Sequence, residues 1–218
     1  MDISVIFDMD GVIIDNCPYH FEAWKRFSLR HGVVFDEASF KDKLFGRTNP
    51  DILEGLFGKP LPPALAASLA DEKEALYRTI YTGHVRPAAG LKRLLKSLKM
   101  CGVSTAVATA APRVNLDFAL EETRLGPWFD VLADIGMVDR GKPAPDLYLK
   151  AAELLGRRPE SCVAVEDSYP GIASALAAGM KVVGMTTTHT AEELGRAHIV
   201  IADFRKITAA DLAGLVSA

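Results

Sequence analysis

Two aspartates one residue apart stand directly after a short apolar run: Ile3-Ser4-Val5-Ile6-Phe7 leads into Asp8-Met9-Asp10-Gly11-Val12. A β-branched and aromatic run of this length reads as a buried strand feeding a tight turn. A carboxylate leaving such a strand is held rigidly, and a second one two residues on can point back into the same crevice. Gly11 lets the backbone turn and lets its amides approach an anion closely. Alone, the pattern fits a turn former or a calcium-loop fragment equally well. An EF-hand is excluded, because Val12 and Ile14 stand where Asp or Asn is needed.

Three further pieces carry chemistry. Thr109 closes the run Val103-Ser104-Thr105-Ala106-Val107-Ala108, where its hydroxyl and the amide of Ala110 could donate to phosphate oxygens, although threonine at a strand end is commonplace. Lys142 lies in Gly141-Lys142-Pro143, where the proline fixes the backbone so that the ammonium can be aimed inward; the alternative is a solvated loop lysine. Glu166-Asp167 closes the run Cys162-Val163-Ala164-Val165. Two like charges roughly 4 Å apart repel by about 4 kcal/mol at an effective dielectric of about 20. With Asp8 and Asp10 nearby, Lys142 alone cannot balance the carboxylates, so the site calls for a divalent, oxygen-preferring cation, Mg²⁺.

The elements that position these residues follow from periodicity. Short apolar runs recur at 103–109, 131–133, 161–165, 181–185 and 199–201, with helix-period segments at 113–122, 144–155 and 171–178 between several of them. Strand alternating with helix predicts an α/β fold, a Rossmann-like parallel sheet covered on both faces. All four pieces then lie at strand carboxyl ends, where open α/β sheets bind ligands. Asp146 after Pro145, and Ser168 ahead of Pro170, are helix-start chemistry, and Gly179 is a helix stop. Residues 15–84 break the alternation: they contain no good strand, but helix-like segments at 19–31, 37–45, 50–56 and 65–81, with Leu65, Leu69, Leu76 and Ile80 at helical spacing. The expectation is a discontinuous core of 1–14 plus 85–218 and an all-helical cap of 15–84, hinged near 15 and 83–87.

In this order, each closing a strand, the four pieces resemble the motifs of the haloacid dehalogenase-like phosphatase superfamily. The helical insertion resembles its C1-type cap. The resemblance implies that Asp8 is the nucleophile taking the phosphoryl group and Asp10 the general acid/base. Thr109 and Lys142 would hold phosphoryl oxygens. Mg²⁺ would be bound by Asp8, the backbone carbonyl of Asp10 and Asp167, with Glu166 acting through water. Aspartate at the second position argues against the superfamily's dehalogenases, which lack that carboxylate.

Within the superfamily the likeness is to β-phosphoglucomutase and its sugar-phosphatase relatives, carried by Tyr19-His20-Phe21-Glu22-Ala23-Trp24-Lys25. His20 matches a cap histidine able to bond substrate and Asp10. Lys73 matches a cap lysine that contacts substrate, against the alternative of a snorkelling lysine beside Leu69, Leu76 and Ile80. The mutases grip a second phosphate with an arginine where this chain has Asn49, in Gly46-Arg47-Thr48-Asn49-Pro50-Asp51, and the preceding lysine is Phe45. Arg47 from a shifted position, or Arg113 on the core side, could substitute; the latter is equally a solvated helix-start arginine. Charged hydrogen bonds contribute about 1.5–3 kcal/mol each, so losing two cations favours a Mg²⁺-dependent phosphatase of a small sugar phosphate over a mutase. A non-catalytic phospho-ligand binder is the remote third class.

The bulk properties agree. With 218 residues, 49% hydrophobic, 24% charged and a net charge of −3, the chain is long enough for a sizeable core and is neither low-complexity nor disordered. The slightly acidic balance gives no electrostatic case for a nucleic-acid or anionic-membrane partner. Cys17, Cys101 and Cys162 are too few and too far apart for a disulfide framework or metal knuckle, and Cys162 reads as a small buried hydrophobe. His31, His84, His189 and His198 show no metal spacing, Trp24 and Trp128 read as packing, and 186–189, which follows a strand and could face the crevice, reads as a loop. No apolar stretch reaches the ~18 residues of a membrane span, and Asp2 stands where a secretory leader is basic. The expectation is a cytoplasmic monomer or weak homodimer.

Overall fold

The computed structural model describes residues 2–43 and 48–217. The apolar runs form strands β1 (Ser4–Phe7), β2 (Ser104–Ala108), β3 (Val131–Ala133), β4 (Cys162–Glu166), β5 (Lys181–Met185) and β6 (Ile199–Ile201). They make one parallel sheet in the order β3-β2-β1-β4-β5-β6. Every residue of β1 and β4 is buried, as expected of central parallel strands covered on both faces. Phe7 registers with Val107 on one side and Val165 on the other. Asp8, Thr109 and Glu166 therefore reach the same edge of the sheet. From β1 the chain order runs to β2 one way and to β4 the other, and that switch point opens a crevice beyond the carboxyl ends.

The helices are α1 (Cys17–Arg30), α2 (Glu37–Lys43), α3 (Asn49–Phe57), α4 (Pro63–Tyr81), α5 (Leu91–Met100), α6 (Arg113–Thr123), α7 (Asp146–Leu154), α8 (Tyr169–Ala177) and α9 (Ala209–Ser217). The segment expected to run to residue 45 is helical to Lys43, and its remainder lies outside the described residues. Leu147, Tyr148, Ala151 and Ala152 of α7, with Ile172 and Ala175 of α8, pack against Ile6, Ala106 and Ala164. Each large apolar side chain so buried contributes about 1.5–3 kcal/mol.

Two helices lie outside the segments picked out from the sequence. α5 buries Leu91, Leu94, Leu95 and Leu98, a helical stripe beneath a lysine-rich outer face. Gly90 opens it at φ +84°, where a Cβ would collide with the Phe204 backbone. Arg93 donates to the carbonyls of Phe204, Arg205 and Ile207, tying α5 to the segment before α9. α9 packs against α5 and β4, so tertiary contact rather than local pattern decides its place.

By contacts the chain separates into two compact units, Met1–Asp15 with Val85–Ala218 and Asn16–His84. The second is helical throughout its described elements. Trp24 and Phe27 of α1, Phe40 of α2, Ile52 and Leu53 of α3, and Leu69 and Leu76 of α4 form its core. Leu65 does not join them, because it sits in the first turn of α4 and faces solvent. Asn16 precedes α1 but does not cap it with its side chain; the amide donates instead to the Tyr77 hydroxyl. Among the described residues no helix is long and apolar enough to cross a membrane.

Candidate active site

Asp8 continues the β1 ladder, its N–H donating to the Val165 carbonyl at 3.0 Å, so its Cα is fixed one step beyond the strand. The turn that follows closes through Gly11 N–H to Ile14 O at 2.8 Å and Ile13 N–H to Met9 O at 2.9 Å. Gly11 has φ +75°, and a Cβ there would overlap the Asp167 carboxylate. Glycine is needed for both reasons. Asp10 lies in this turn, half-buried, close enough that its charge acts on Asp8 and Asp167.

Lys142 is no solvated loop lysine: its side chain is 7% exposed. Nζ lies 2.7 Å from Asp8 Oδ1, 2.5 Å from Glu166 Oε1 and 3.1 Å from the Ala108 carbonyl. Three ammonium protons thus meet three acceptors. Burial opposes the charge on Lys142, but Asp8 and Glu166 outweigh it and raise the pKa above the usual lysine value.

Glu166 is fully engaged by protein donors. Oε1 also accepts from the Tyr148 hydroxyl at 2.9 Å; Oε2 accepts from Asp167 N–H, Ser168 N–H and Ser168 Oγ at 3.1, 3.3 and 3.0 Å. Ser168 caps α8, its Oγ accepting from Gly171 N–H, as the sequence predicts. Asp146 does not cap α7; its carboxylate takes a two-pronged ion pair from Arg140.

Thr109 is buried at the end of β2. Its N–H donates to Ala133 O, and its Oγ1 accepts from Ala111 N–H at 3.0 Å, leaving the hydroxyl its own proton to donate. Ala110 lies exposed between these two residues. Arg113 begins α6 with Nε 2.8 Å from Asp117 and Nη1 4.0 Å from Asp134, half-exposed, which is the helix-start alternative.

Oxygens of Asp8, Glu166 and Asp167 lie within 4.8 Å of one another, all buried. Burial raises the Asp8 pKa well above the usual carboxylate range against the pull of Lys142, with Glu166, Asp10 and Asp167 pushing the same way as burial. Burial, then Glu166, lifts Asp167 to about 7. A donor set of hard carboxylate oxygens, with one ammonium to offset it, fits a hard divalent cation such as Mg²⁺.

A second polar cluster lies within the helical unit. The His20 ring stacks on Tyr77 at 3.8 Å, and its Nδ1 is 2.8 Å from Lys73 Nζ. Lys73 is 2% exposed, so it does not snorkel; its ammonium also reaches Glu74 Oε1 at 2.8 Å and sits 4.9 Å from the Trp24 ring. Glu74 Oε1 accepts from Asn49 Nδ2 at 2.8 Å as well. Burial and the Lys73 charge lower the His20 pKa to about 3. The ring is therefore neutral, accepts at Nδ1 and carries its proton on Nε2. For Glu74, burial pushes upward but is outweighed by Lys73 and the bonds from Lys73 and Asn49, which hold it at about 2. Arg47, with Phe45 and Gly46, lies outside the described residues.

The sequence did not point to Tyr148 or Glu74, and it marked Thr188 only as part of a loop that could face the crevice, where it does reach Asp167. Tyr148 and Glu74 sit at helical positions that look like packing or surface, and only their burial reveals partners. Cys162 is buried as expected, its thiol pushed up to about 11 chiefly by burial.

A six-stranded parallel sheet ending in a carboxylate-rich crevice with one buried ammonium defines a hydrolase of the haloacid dehalogenase type. Residues 4–179 match the haloacid dehalogenase-like hydrolase family, and the chain belongs to it. It is 32% identical over 213 residues to validoxylamine A 7'-phosphate phosphatase of Streptomyces hygroscopicus subsp. limoneus, covering 93% of this chain and 94% of that protein. It is 31% identical over 195 residues to β-phosphoglucomutase of Bacillus subtilis, covering 84% of this chain and 82% of that protein. The crystal structure of a family IA, variant 3 HAD hydrolase from Entamoeba histolytica superposes with TM-score 0.93 at 32% identity, covering 99% of this chain and 100% of that one.

Proposed function

We propose that this protein is a Mg²⁺-dependent phosphohydrolase that removes the phosphoryl group from a small phosphorylated metabolite, a sugar phosphate, through an aspartyl-phosphate on Asp8. The observation that carries the reading is Lys142 held between Asp8 and Glu166 at the switch point of the sheet.

Phosphoryl transfer asks a protein for a nucleophile, in-line positioning and charge neutralisation. A carboxylate oxygen of Asp8 attacks phosphorus while the ester P–O bond breaks and Asp10 gives a proton to the leaving alkoxide. Asp10 then takes a proton from water, whose oxygen attacks phosphorus and breaks the bond to Asp8, releasing phosphate. Lys142 and the Thr109 hydroxyl hold the transferring oxygens, with the Ala110 amide beside them. Asp8, the Asp10 carbonyl and Asp167 would hold Mg²⁺, which when bound neutralises phosphoryl charge. Glu166, its oxygens taken by five protein donors, acts mainly by fixing Lys142.

In this reading the helical unit is the cap that selects substrate, with His20 Nε2–H as a neutral donor. Asn49 in place of the mutase arginine favours hydrolysis over mutase chemistry, because a neutral amide that already donates to Glu74 at 2.8 Å supplies no cation for a second phosphate.

A phosphate-release screen over sugar phosphates, nucleotides, phosphoglycolate and pyrophosphate with Mg²⁺ tests the proposal. Release from a sugar phosphate, abolished in Asp8→Asn, is the expected result. Isomerisation of glucose 1-phosphate with little free phosphate, when a bisphosphate primer is present, would make the protein a mutase. No turnover by the wild type, with ligand affinity retained in Asp8→Asn, would make it a binder.

A further inference from the structure

The loop after β5 carries Thr186-Thr187-Thr188-His189, which the reaction above does not use. Thr188 comes from this exposed loop, not from β1 or β4, yet its Oγ1 lies 2.7 Å from Asp167 Oδ2 and 2.9 Å from the Asp167 carbonyl oxygen. His189 Nδ1 is 2.9 Å from that carbonyl and 2.9 Å from Thr188 Oγ1. A threonine hydroxyl has one proton to donate. The shortest contact sends it to the carboxylate, and a proton on His189 Nδ1 serves the carbonyl and the threonine oxygen. Across the same carboxylate stands Gly11, packed so closely that a Cβ would overlap it. Asp167 is therefore gripped from two sides, by the β1 turn and by the β5 loop. Its neighbour Glu166 is fixed by Lys142, Tyr148 and the α8 cap, none of which reaches the Asp167 carboxylate through a bond of comparable length.

We propose that Thr188 is a positioning residue for the Mg²⁺ site: its hydroxyl holds Oδ2 of Asp167 so that the other carboxylate oxygen is presented to the cation. This rests on the Mg²⁺-dependent reading of the site. A carboxylate that turns freely about its terminal bond must be ordered when it binds metal, and outer partners of metal ligands typically govern 10–100-fold in affinity.

Calorimetric titration of the full chain with Mg²⁺ alone tests it, with Thr188→Val removing the hydroxyl at constant shape and Thr188→Ser keeping it. Thr188→Val should weaken Mg²⁺ binding by about 10–100-fold, and Thr188→Ser should restore it to within about threefold of wild type. Thr188→Val gives up a hydrogen bond to a buried carboxylate, so its urea midpoint should fall while Thr188→Ser keeps the wild-type value, and Mg²⁺ affinity is therefore read on the folded protein. Wild-type affinity in Thr188→Val, or equal losses in both variants, would overturn the role of the hydroxyl. Absence of Mg²⁺ binding by the wild type would overturn the metal reading itself, a different outcome from binding that ignores Thr188.

Discussion

Glu166 and Lys142 meet at 2.5 Å, the glutamate side chain wholly buried and the lysine nearly so. A buried charge pair is stable only when the remaining lone pairs and protons are satisfied. Here Tyr148, Ser168, Asp167 N–H, Asp8 and Ala108 complete the set. The pair is thus one unit spanning β1, β4 and the loop before α7, and its integrity sets where the ammonium points.

Glu166→Ala leaves Lys142 with Asp8 and the Ala108 carbonyl and opens a void against α8. Breaking a buried pair from one side costs about 3–5 kcal/mol, so the urea midpoint should fall sharply along with turnover. A midpoint within experimental error of wild type would show that the pair does not brace the sheet edge.

Tyr148→Phe removes one donor to Glu166 and keeps the ring beneath Lys142. A hydrogen bond to a charged group contributes about 1.5–3 kcal/mol. Denaturant unfolding of this variant should show a loss of that order, smaller than the loss from Glu166→Ala. A loss equal to that of Glu166→Ala would mean that Tyr148 matters through packing, not through its hydroxyl.

Gly11→Ala places a methyl group where the Asp167 carboxylate lies and strains a backbone at φ +75°. Phosphate release should drop by at least about tenfold, with the concentration of Mg²⁺ needed for half-maximal activity rising. Wild-type dependence on Mg²⁺ would place Asp167 elsewhere in the working enzyme.

The helical unit should lose stability in acid. His20 falls from an ordinary 6.5 to about 3 on folding, so between those values the unfolded chain binds more protons and stability rises with pH. Its contribution is complete above pH 6.5 and is lost as pH falls toward 3. Glu74, held at about 2 against an ordinary 4.5, adds the same sign from pH 4.5 downward. Urea unfolding followed by helical circular dichroism should therefore weaken steadily below pH 6.5. His20→Gln should flatten the slope between 6.5 and 4.5. An unchanged slope would assign the acid sensitivity to other groups.

Removal and return of Mg²⁺ should move thermal stability as well as activity. A ligand that binds only the folded state at about 100 times its Kd adds about 2.7 kcal/mol. Chelation should lower the melting temperature, Mg²⁺ should restore it, and Asp167→Asn should show little of either shift. Equal shifts in Asp167→Asn would move the cation away from the carboxylate cluster.

The local code in the chain determined the α/β class, the six strands and the four motif positions, because buried parallel strands must be short continuous apolar runs and charges can follow them only at their ends. Asp8, Thr109 and Glu166-Asp167 were legible for that reason, whereas Lys142, expected to close a strand, lies instead in the loop between β3 and α7. The helical character of 15–84 and the Ser168 cap were legible too. What the sequence left open was every pairing across the fold. Lys142 could have been a solvated lysine, and Lys73 could have lain along the surface. Only the approach of segments distant in sequence brings Lys142 to Glu166, Asn49 to Glu74 and Thr188 to Asp167. Those contacts depend on burial, which removes water as the competing partner. A linear pattern records which residues are polar, but not which polar group replaces water once the chain has closed around them.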